Sequence, residues 1–376
     1  MKIAMIGTRG VPANYGGFET CVEELGRRLS ERGHGVSVYC RTSSYSERLK
    51  SYLGMELVYL PCLKGKSVST LSHTFLSVLH ASVRGGYDVL MVFNAANSPT
   101  LVIPRLFGKK IAINTDGLEW KRGKWGPVAR RYYKFSERLS TMLAHRIVAD
   151  STGIQGYYRE TYGVESAYIA YGAYLSKSQR PELLAGMGLK PAGYFLQVTR
   201  FEPENNPLLT IQAYKRLKTD KKLVLVGGVP YQSGYSRAME EEASGNPNII
   251  MPGYIYEKEL LNELWCNSFA YIHGNEVGGT NPALLQAMGS GSFVMAIDVS
   301  FSRDVLGEAG LFFEKDADSL AQKMRWAIEN KEGLEPFRTM ATERIRERYS
   351  WERVADGYEA LFRELSGLGV PAVRKA

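Results

Sequence analysis

The amino-acid sequence predicts an α/β protein made of two Rossmann-like, doubly wound domains that follow one another along the chain. Two observations support this prediction. Short apolar stretches that indicate strands alternate with amphipathic stretches that indicate helices, which is typical of a parallel sheet covered on both faces. The alternation restarts after a polar passage punctuated by glycine and proline, residues 175–193, which we interpret as a linker.

The first half of the chain alternates predicted strands with predicted helices. The strands are KIAMIG (2–7), GVSVYC (35–40), MELVYLP (55–61), YDVLMVF (87–93), KKIAIN (109–114) and RIVAD (146–150). The helical spacing of Phe18, Val22, Leu25 and Leu29 predicts a helix after the first strand. Further helices are expected at about residues 67–83 and 127–144.

The second half repeats this pattern. Its predicted strands are YFLQVT (194–199), KLVLVGG (222–228), NIIMPG (248–253), FAYIHG (269–274), SFVMAID (292–298) and LFFE (311–314). Val354, Tyr358, Leu361 and Leu365 then predict a final helix. We expect domains at 1–175 and 176–349, followed by a helix and tail at 350–376. Ligands of such sheets bind beyond the carboxyl ends of the strands, so the residues there are the functional candidates.

Composition and charge narrow the possible classes of protein. No apolar run is long enough for a signal peptide or a membrane span, so we expect a cytoplasmic protein. The four cysteines lack a CxxC pair and the five histidines lack metal-ligand spacing, so we expect no disulfide framework and no metal site. Residues 1–175 hold 23 Lys and Arg against 13 Asp and Glu, whereas the remainder is nearly neutral. This asymmetry predicts an anionic partner for the first domain.

A glycine-rich loop, GTRGVPANYGGFET (7–20), joins the first strand to the first helix. Gly16 and Gly17 stand at the expected helix start, where bare backbone allows an anion to approach unsatisfied N–H groups. The loop has neither the GxGxxG order of a dinucleotide site nor the GxxxxGK[ST] order of a P-loop. Phosphate binding and a permissive turn therefore both remain open.

A second glycine-rich segment, HGNEVGGTNPALLQAMGSG (273–291), follows a strand of the second half. Asn281 and Pro282 predict an N-cap and a first helical residue. Gly278 and Gly279 precede this cap and leave several N–H groups open to an anion, those of Thr280, Ala283 and Leu284. An ordinary capped helix explains Asn281 and Pro282, but not the two glycines.

Two charged residues follow other strands. Arg200, in VTRFEPENN, could clamp a diphosphate with its planar guanidinium, or it could be a surface arginine paired with Glu202 or Glu204. Asp116, in NTDGLEWKRGKWG (114–126), is placed to contact a hydroxyl of a sugar or an acceptor.

The same stretch continues into an aromatic and basic region. Trp120 and Trp125 offer flat apolar faces, with three cations between them, Lys121, Arg122 and Lys124. On the helix that follows, Arg131, Lys134 and Arg138 form a basic stripe, and Phe135, Leu139 and Met142 are expected to form the opposing apolar face. We predict contact with an anionic membrane surface or a pyrophosphate-bearing acceptor; a solvated charged face is the alternative.

Together these motifs resemble retaining glycosyltransferases of the GT-B fold, family four. The paired-glycine helix start, the strand-end arginine, LLQAMGSGSFVMA (284–296) and YSWERVADGYEALF (349–362) match in order and spacing. GTRGVPANYGGFET, DGLEWKRGKW (116–125) and HGNEVGGTNPALLQAMGSG look more narrowly like the rhamnosyltransferase-like subfamily.

The resemblance implies a fold and a reaction. The two domains would face each other across a cleft, and the final helix would return to the first domain. The enzyme would transfer a sugar, with L-rhamnose as the best guess, from a dTDP- or UDP-linked donor to a glycan or lipid-pyrophosphate-linked acceptor. Transfer would retain anomeric configuration and need neither a metal nor a cofactor. The implied location is the inner face of the cell membrane, with the protein bound peripherally.

The resemblance also implies residue roles. Arg200 would bind the donor diphosphate and stabilise its developing charge, Gly16 and Gly17 would approach the donor, and Asp116 would orient the sugar or the acceptor. The further donor-binding positions are Gly278, Gly279, Thr280, Asn281, Ala283 and Leu284 around the sugar and phosphates, Gln286 at the ribose, and Tyr254 at the base. Asn205 stands where the family has a diphosphate-binding lysine, and Gly278 and Gln286 replace its two glutamates.

Three other functions fit part of the sequence. A sugar-nucleotide epimerase of the same fold would bind the same donor. A dehydrogenase would share the strand–helix alternation, but no GxGxxG fingerprint is present. A nucleic-acid-binding protein would share the basic charge, but no recognition motif for nucleic acid appears.

Overall fold

The computed structural model describes residues 1–13, 16–65, 68–122, 125–229 and 233–369. The chain divides into two compact units. The first unit contains residues 1–171 together with the segment that begins at Trp351, and the second unit contains Gly172–Ser350. The limits expected from the sequence were 175 and 349.

The first unit is built on a mostly parallel sheet. Its strands are β1 (Lys2–Ile6), β2 (Gly35–Arg41), β3 (Ser51–Tyr52), β4 (Met55–Leu60), β5 (Val89–Phe93), β6 (Lys110–Asn114), β7 (Arg146–Ala149) and β8 (Ala167–Tyr168). They lie in the order β3-β4-β2-β1-β5-β6-β7-β8. Neighbouring strands pair in parallel, except for the short antiparallel pair β3–β4.

The helices of this unit connect its strands. They are α1 (Gly17–Glu31), α2 (Val68–Arg84), α3 (Val102–Leu106), α4 (Pro127–Leu143) and α5 (Thr152–Tyr162). The central strands β1 and β5 are fully buried along their apolar runs, because helices cover both faces of a doubly wound sheet. Val22, Leu25 and Leu29 of α1 are buried at the helical spacing that the sequence shows.

The second unit holds a parallel sheet of its own. Its strands are β9 (Tyr194–Val198), β10 (Lys222–Val226), β11 (Ile249–Gly253), β12 (Ala270–His273), β13 (Val294–Ile297) and β14 (Gly310–Phe313). They lie in the order β11-β10-β9-β12-β13-β14, and neighbouring strands pair in parallel. Every strand predicted in this half of the chain is present, and the predicted α/β fold class is confirmed.

The helices of the second unit enclose an apolar core. They are α6 (Pro207–Lys215), α7 (Gly234–Ala243), α8 (Lys258–Cys266), α9 (Pro282–Gly289), α10 (Ser300–Leu306), α11 (Ala317–Glu329) and α12 (Glu335–Arg348). Phe195, Leu225 and Ile272 from the sheet pack with Leu320 and Met324 of α11 in one buried cluster. Apolar burial of this kind contributes roughly 25 cal/mol per Å² of surface removed from water.

The passage expected to be a linker is packed onto the second unit instead. Glu263 of α8 accepts hydrogen bonds from the Ser178 hydroxyl and from the backbone N–H groups of Gln179 and Arg180, at 2.5, 2.7 and 2.9 Å. Leu184 in the following 3-10 turn is fully buried. The polar composition of this passage suggested a linker, but three of its hydrogen-bond donors are satisfied by the carboxylate of Glu263, which lies far away in the sequence.

The last helix, α13 (Trp351–Leu365), belongs to the first unit, as expected from the family resemblance. It lies against α1, where Arg28 and Arg32 contact Glu352 and Arg32 also contacts Glu359. The Asn114 side chain at the end of β6 donates a hydrogen bond to the buried Tyr358 hydroxyl at 2.9 Å. Among the described helices, none combines the length and the apolar character that crossing a bilayer requires.

The contact between α1 and α13 predicts a pH dependence. Burial alone would raise the pKa of Glu359, but hydrogen bonds from Arg32, Arg363 and His34 outweigh it and lower the pKa. A carboxyl with a lowered pKa stabilises the folded state above its unfolded pKa and loses this contribution as the pH falls. We expect the free energy of unfolding to fall between about pH 7 and pH 3, and Glu359→Gln to remove roughly 1 kcal/mol of that fall. Denaturant titration of the variant beside Glu347→Gln, an exposed control, measures this; equal pH dependence in both would contradict it.

Candidate active site

The strand order of the second unit reverses between β9 and β12. From β9 the chain proceeds outward through β10 and β11, and β12 then starts the other side of the sheet. Loops that leave the carboxyl ends of such neighbouring strands diverge, and ligands of doubly wound proteins bind there. The two loops are the β9 loop, residues 199–206, and the β12 loop, residues 274–281.

Direct hydrogen bonds hold these two loops together. The Asn206 amide donates to the Gly274 carbonyl at 2.9 Å and to the Glu276 carboxylate at 2.6 Å. The backbone N–H of Glu276 donates to the Glu204 carbonyl at 2.9 Å. Gly274 leaves no room for a side chain, because an added Cβ would lie 2.5 Å from the Asn205 carbonyl oxygen. The β9 and β12 loops therefore form one fixed surface.

Arg200 lies in the β9 loop, two residues beyond β9, with an exposed side chain. The side chain of Asn205 is buried and donates to the Arg200 carbonyl at 2.9 Å, while the Asn205 carbonyl accepts from Gln197 at 3.0 Å. Asn205 thus fixes the backbone from which the Arg200 guanidinium projects. Direct contact between the Arg200 guanidinium and a donor stays a prediction.

The start of α9 has the predicted cap. Asn281 is the N-cap, Pro282 occupies the first helical position, and the Asn281 side chain accepts from the Ala283 N–H at 2.9 Å. The Ala283 N–H, expected to be open to an anion, is therefore already bonded. Gly278 has a backbone φ of +153° and open space around its Cα, consistent with its predicted place facing a ligand. Gly279, Thr280 and Leu284 complete this helix start, with Thr280 and Leu284 buried.

Two further predicted donor residues have defined surroundings. The half-buried Gln286 donates to the hydroxyls of Ser176 and Ser290, at 3.2 and 3.3 Å, which leaves its carbonyl oxygen as the group for a ribose hydroxyl. Tyr254 follows β11, and its hydroxyl donates to the Gly228 carbonyl at 2.7 Å. Its ring stacks on that of Tyr256, with centroids 6.1 Å apart; Tyr256 is 82% exposed and Tyr254 is 47% exposed.

His273 is a residue of this site that the sequence analysis did not assign. It ends β12 directly before Gly274, and burial lowers its pKa to about 3, so the ring is neutral at physiological pH. Its Nδ1 atom is buried and has no hydrogen-bond partner among the residues that the structure describes. The sequence did carry a signal for this residue, because His273 ends an otherwise apolar strand.

In the first unit, the early glycines of the loop after β1 are explained by packing. Gly7 has a φ of +104°, and an added Cβ would lie 2.5 Å from the Phe93 carbonyl oxygen; Gly10 has a φ of +109° and approaches Cys40 equally closely. The loop passes too near β5 and β2 for any side chain at these positions.

Gly16 and Gly17 lie at the start of α1, as predicted. Gly16 is an extended N-cap without a side-chain cap bond, and Gly17 is the first helical residue. Two carboxylates of α1 fix the preceding loop: Glu19 accepts from the Arg9 N–H at 3.0 Å and Glu23 accepts from the Ala13 N–H at 2.7 Å. The buried Glu19 carboxylate therefore shares the positive end of α1 with any ligand that approaches it.

Asp116 lies two residues beyond β6, with a left-handed φ of +62° that few residues other than glycine adopt. Its backbone N–H donates to the Asn114 side chain at 3.0 Å. The half-buried carboxylate thus sits at the strand edge where it was expected, and its catalytic role stays a prediction.

The tryptophans of the aromatic and basic region contact neighbouring side chains. The Lys134 ammonium lies 3.8 Å from the centre of the Trp120 ring, and the Trp125 indole N–H donates to the Glu119 carboxylate at 3.2 Å. Arg122 forms an ion pair with the same Glu119. Lys124 lies outside the described residues.

The expectation that Phe135, Leu139 and Met142 form an apolar face of α4 opposite the basic stripe is wrong. Phe135 is 56% exposed and Met142 is 63% exposed, Leu139 is only partly buried, and the buried side of the helix carries Ser136, Glu137 and Ser140. Glu137 is accommodated because the hydroxyls of Tyr157 and Tyr162 donate to it, at 2.9 and 3.2 Å. Arg131, Lys134 and Arg138 are exposed, so the basic stripe lies on the surface as predicted.

The structure groups the predicted residues unit by unit. Arg200 and Asn205 share the β9 loop, which is bonded to the β12 loop that leads through Gly278 to α9. Tyr254 follows β11, at the same edge of the same sheet. In the first unit the candidates fall into three places: the start of α1, the end of β6, and the segment that runs from Trp120 through α4.

Two family models match parts of the chain. A family model described as "Glycosyl transferases group 1" matches residues 188–348, and one described as "Domain of unknown function (DUF1972)" matches residues 99–174. No curated protein matches the chain.

Several solved structures share the fold. Sucrose-phosphate synthase from Thermosynechococcus elongatus matches 97% of this chain and 99% of its own, with a TM-score of 0.82 and 18% identity. HepE from Anabaena in complex with UDP-glucose matches 96% of this chain and 99% of its own, with a TM-score of 0.78 and 14% identity. A glycosyltransferase from Rickettsia africae matches 97% and 98%, with a TM-score of 0.68 and 13% identity.

The low identities make these likenesses evidence of fold, and the fold is GT-B. The second unit carries both the matched glycosyl transferases group 1 domain and the loop surface described above. The protein is a glycosyltransferase with a glycosyl transferases group 1 domain on a GT-B fold.

Proposed function

We propose that this glycosyltransferase moves a sugar, with L-rhamnose as the best candidate, from a nucleoside-diphosphate donor to a glycan or lipid-pyrophosphate-linked acceptor. The observation that carries the proposal is the fixed surface of the β9 and β12 loops at the strand-order reversal of the matched domain. The complex of HepE with UDP-glucose supports the class of donor.

One charge at this surface, that of Arg200, suits a donor diphosphate; the two loops also carry the carboxylates of Glu202, Glu204 and Glu276, and Glu276 is paired with Lys315. Arg200 supplies an exposed guanidinium on a backbone fixed by Asn205, and guanidinium groups bind phosphate oxygens in bidentate geometry. The start of α9 adds the positive end of a helix dipole behind Gly278. When the glycosidic bond breaks, negative charge grows on the leaving diphosphate, and preorganised donors of this kind typically supply roughly 3 kcal/mol each.

The ends of the donor have separate supports. The stacked rings of Tyr254 and Tyr256 offer a flat surface to a nucleobase, and the side-chain carbonyl oxygen of Gln286 suits a ribose hydroxyl. Arg200 and the start of α9 would hold the diphosphate without a metal ion. Retention of configuration follows if the acceptor attacks from the face of the leaving diphosphate, which then takes the acceptor's proton.

A donor screen by thermal shift tests the proposal. The protein is heated with dTDP-, UDP- and GDP-linked sugars and with the free nucleoside diphosphates. We expect stabilisation by dTDP-rhamnose and by dTDP above the other bases. Stabilisation by UDP or GDP donors alone would remove rhamnose while keeping the donor class, and no response to any nucleotide would contradict the proposal.

We also propose that α4 rests on an anionic membrane surface. Val128, Arg131, Phe135, Arg138 and Met142 recur every three or four residues and therefore share one face of the helix. All five are exposed. Apolar side chains flanked by arginines on an exposed helix face are typical of helices that lie in the plane of a membrane interface.

Cosedimentation with vesicles tests this surface. Arg131→Gln combined with Arg138→Gln is expected to weaken binding to phosphatidylglycerol vesicles roughly tenfold to thirtyfold, since each cation near such a surface contributes about 1 kcal/mol. The matched control removes two exposed arginines of the second unit, Arg346→Gln with Arg348→Gln. Equal loss in both double variants, or no binding of the unaltered protein at low salt, would contradict the proposal.

A further inference from the structure

A buried cationic cluster lies in the first unit where β1 and β2 end and α2 begins. Arg41 is the last residue of β2, and its backbone N–H donates to the carbonyl of Arg9, in the loop after β1, at 2.9 Å. α2 contributes Ser69, Thr70 and His73 from its first two turns. We call these five residues the Arg41 cluster.

Arg41 is buried without a matching negative charge. Only 8% of the residue is exposed, and its two terminal nitrogens donate to the hydroxyls of Ser69 and Thr70, at 3.5 and 2.9 Å. Its Nε atom is buried and has no acceptor, and no carboxylate among the described residues lies within 4.0 Å of the guanidinium. A buried charge is costly unless it is paired, so Arg41 has room in its charge balance for an anion that the described residues do not supply.

The electrostatics of the cluster agree with this geometry. Burial lowers the pKa of Arg41, the nearby charge of Arg9 lowers it further, and Cys62, Glu19 and Tyr45 oppose these effects only in part. Burial and then the Arg41 charge lower the pKa of His73 to about 4, against a smaller opposing contact with the Cys40 backbone. His73 is therefore a neutral ring at physiological pH.

His73 adds a second set of unsatisfied polar atoms. Its side chain is fully buried, and neither ring nitrogen meets a partner at hydrogen-bond geometry within the described part of the chain. A neutral imidazole offers one N–H donor, and the Nε–H of Arg41 offers another. The charge of Arg41 and these donors match an anionic group with several acceptor oxygens.

We propose that the Arg41 cluster binds a phosphoryl group of the acceptor. The inference rests on the proposed function, which supplies a pyrophosphate-bearing acceptor. The cluster lies in the first unit, whereas the donor residues of that function, apart from those at the start of α1, belong to the second unit. It lies at the carboxyl edge of the first sheet, where ligands of doubly wound domains bind.

Calorimetry with inorganic pyrophosphate tests the assignment. The full chain is first saturated with the nucleoside diphosphate that binds it best, and pyrophosphate and geranyl pyrophosphate are then titrated. Arg41→Gln is expected to lower the affinity for both pyrophosphates at least tenfold. The affinity for the nucleotide is expected to stay within twofold of that of the unaltered protein. Arg48→Gln removes an exposed charge of the same unit and is expected to change neither. Thr70→Val, which keeps the charges of Arg9 and Arg41, is expected to lower the affinity for pyrophosphate about threefold. This variant replaces Arg41→Gln as the test if Arg41→Gln does not fold.

The outcomes separate this inference from the proposed function. Absent pyrophosphate binding, or equal binding by the Arg41 and Arg48 variants, would overturn the site whether or not nucleotide binds. Equal loss of nucleotide and pyrophosphate in Arg41→Gln would assign the cluster to the donor and overturn its role for the acceptor. Binding of inorganic pyrophosphate with none of geranyl pyrophosphate would overturn a lipid-linked source.

Discussion

Replacing Arg200 with alanine is expected to weaken binding of the donor nucleotide about a hundredfold, roughly 3 kcal/mol, and to lower the transfer rate at least as much. The guanidinium is exposed at the end of β9 on a backbone that Asn205 fixes. Removing it deletes a charge-assisted, bidentate contact with the diphosphate. Isothermal titration calorimetry with UDP and dTDP measures the loss.

Two controls sharpen this measurement. Arg200→Lys keeps the charge but loses the planar fork, so its affinity is expected to fall between those of the unaltered protein and the alanine variant. Arg325→Ala removes an exposed arginine of α11 in the same unit and is expected to have no effect. Unchanged nucleotide affinity in Arg200→Ala would refute the diphosphate role.

Replacing Gly274 with alanine is expected to damage both stability and donor binding. The added Cβ would lie 2.5 Å from the Asn205 carbonyl oxygen and 3.2 Å from Asn206, so the β9 loop must move away from the β12 loop. Overpacking of this kind typically costs about 1–3 kcal/mol. The displaced loop carries Arg200, so nucleotide affinity should fall at least tenfold in the protein that remains folded.

Denaturant titration and calorimetry on the same preparations check both parts of this prediction. Gly186→Ala is the matched control, because Gly186 lies in the same unit with nothing within 4 Å of an added Cβ. It is expected to change neither quantity. A stable Gly274→Ala protein with normal nucleotide affinity would show that the contact between the loops does not position Arg200.

Features set by neighbouring residues in the chain could be predicted from the sequence. The buried strands follow from short apolar runs, and the α9 cap follows from Asn281 and Pro282 alone. The position of Arg200 follows from the end of one strand. In each case local geometry determines the outcome, and doubly wound topology then brings the strand ends to one edge.

Features set by distant residues could not be predicted. The apolar spacing of Phe135 and Met142 fits a buried face as well as an exposed one, and the choice depends on the tyrosines of α5 that satisfy Glu137. The Arg41 cluster joins residues about 30 positions apart, so no sequence window contains it. The glycine-rich loop after β1 suggested phosphate binding, but close packing against β5 and β2 accounts for two of its four glycines, Gly7 and Gly10.

Hydrogen–deuterium exchange of the full chain, with and without the best-bound nucleoside diphosphate, tests the location of the donor site most directly. We predict slower exchange in three segments of the second unit: the β9 loop, residues 274–284, and the segment around Tyr254. The strand β13 and helix α12 of the same unit should not change. Protection confined to the first unit, or absent from both the β9 and β12 loops under saturating nucleotide, would contradict the account.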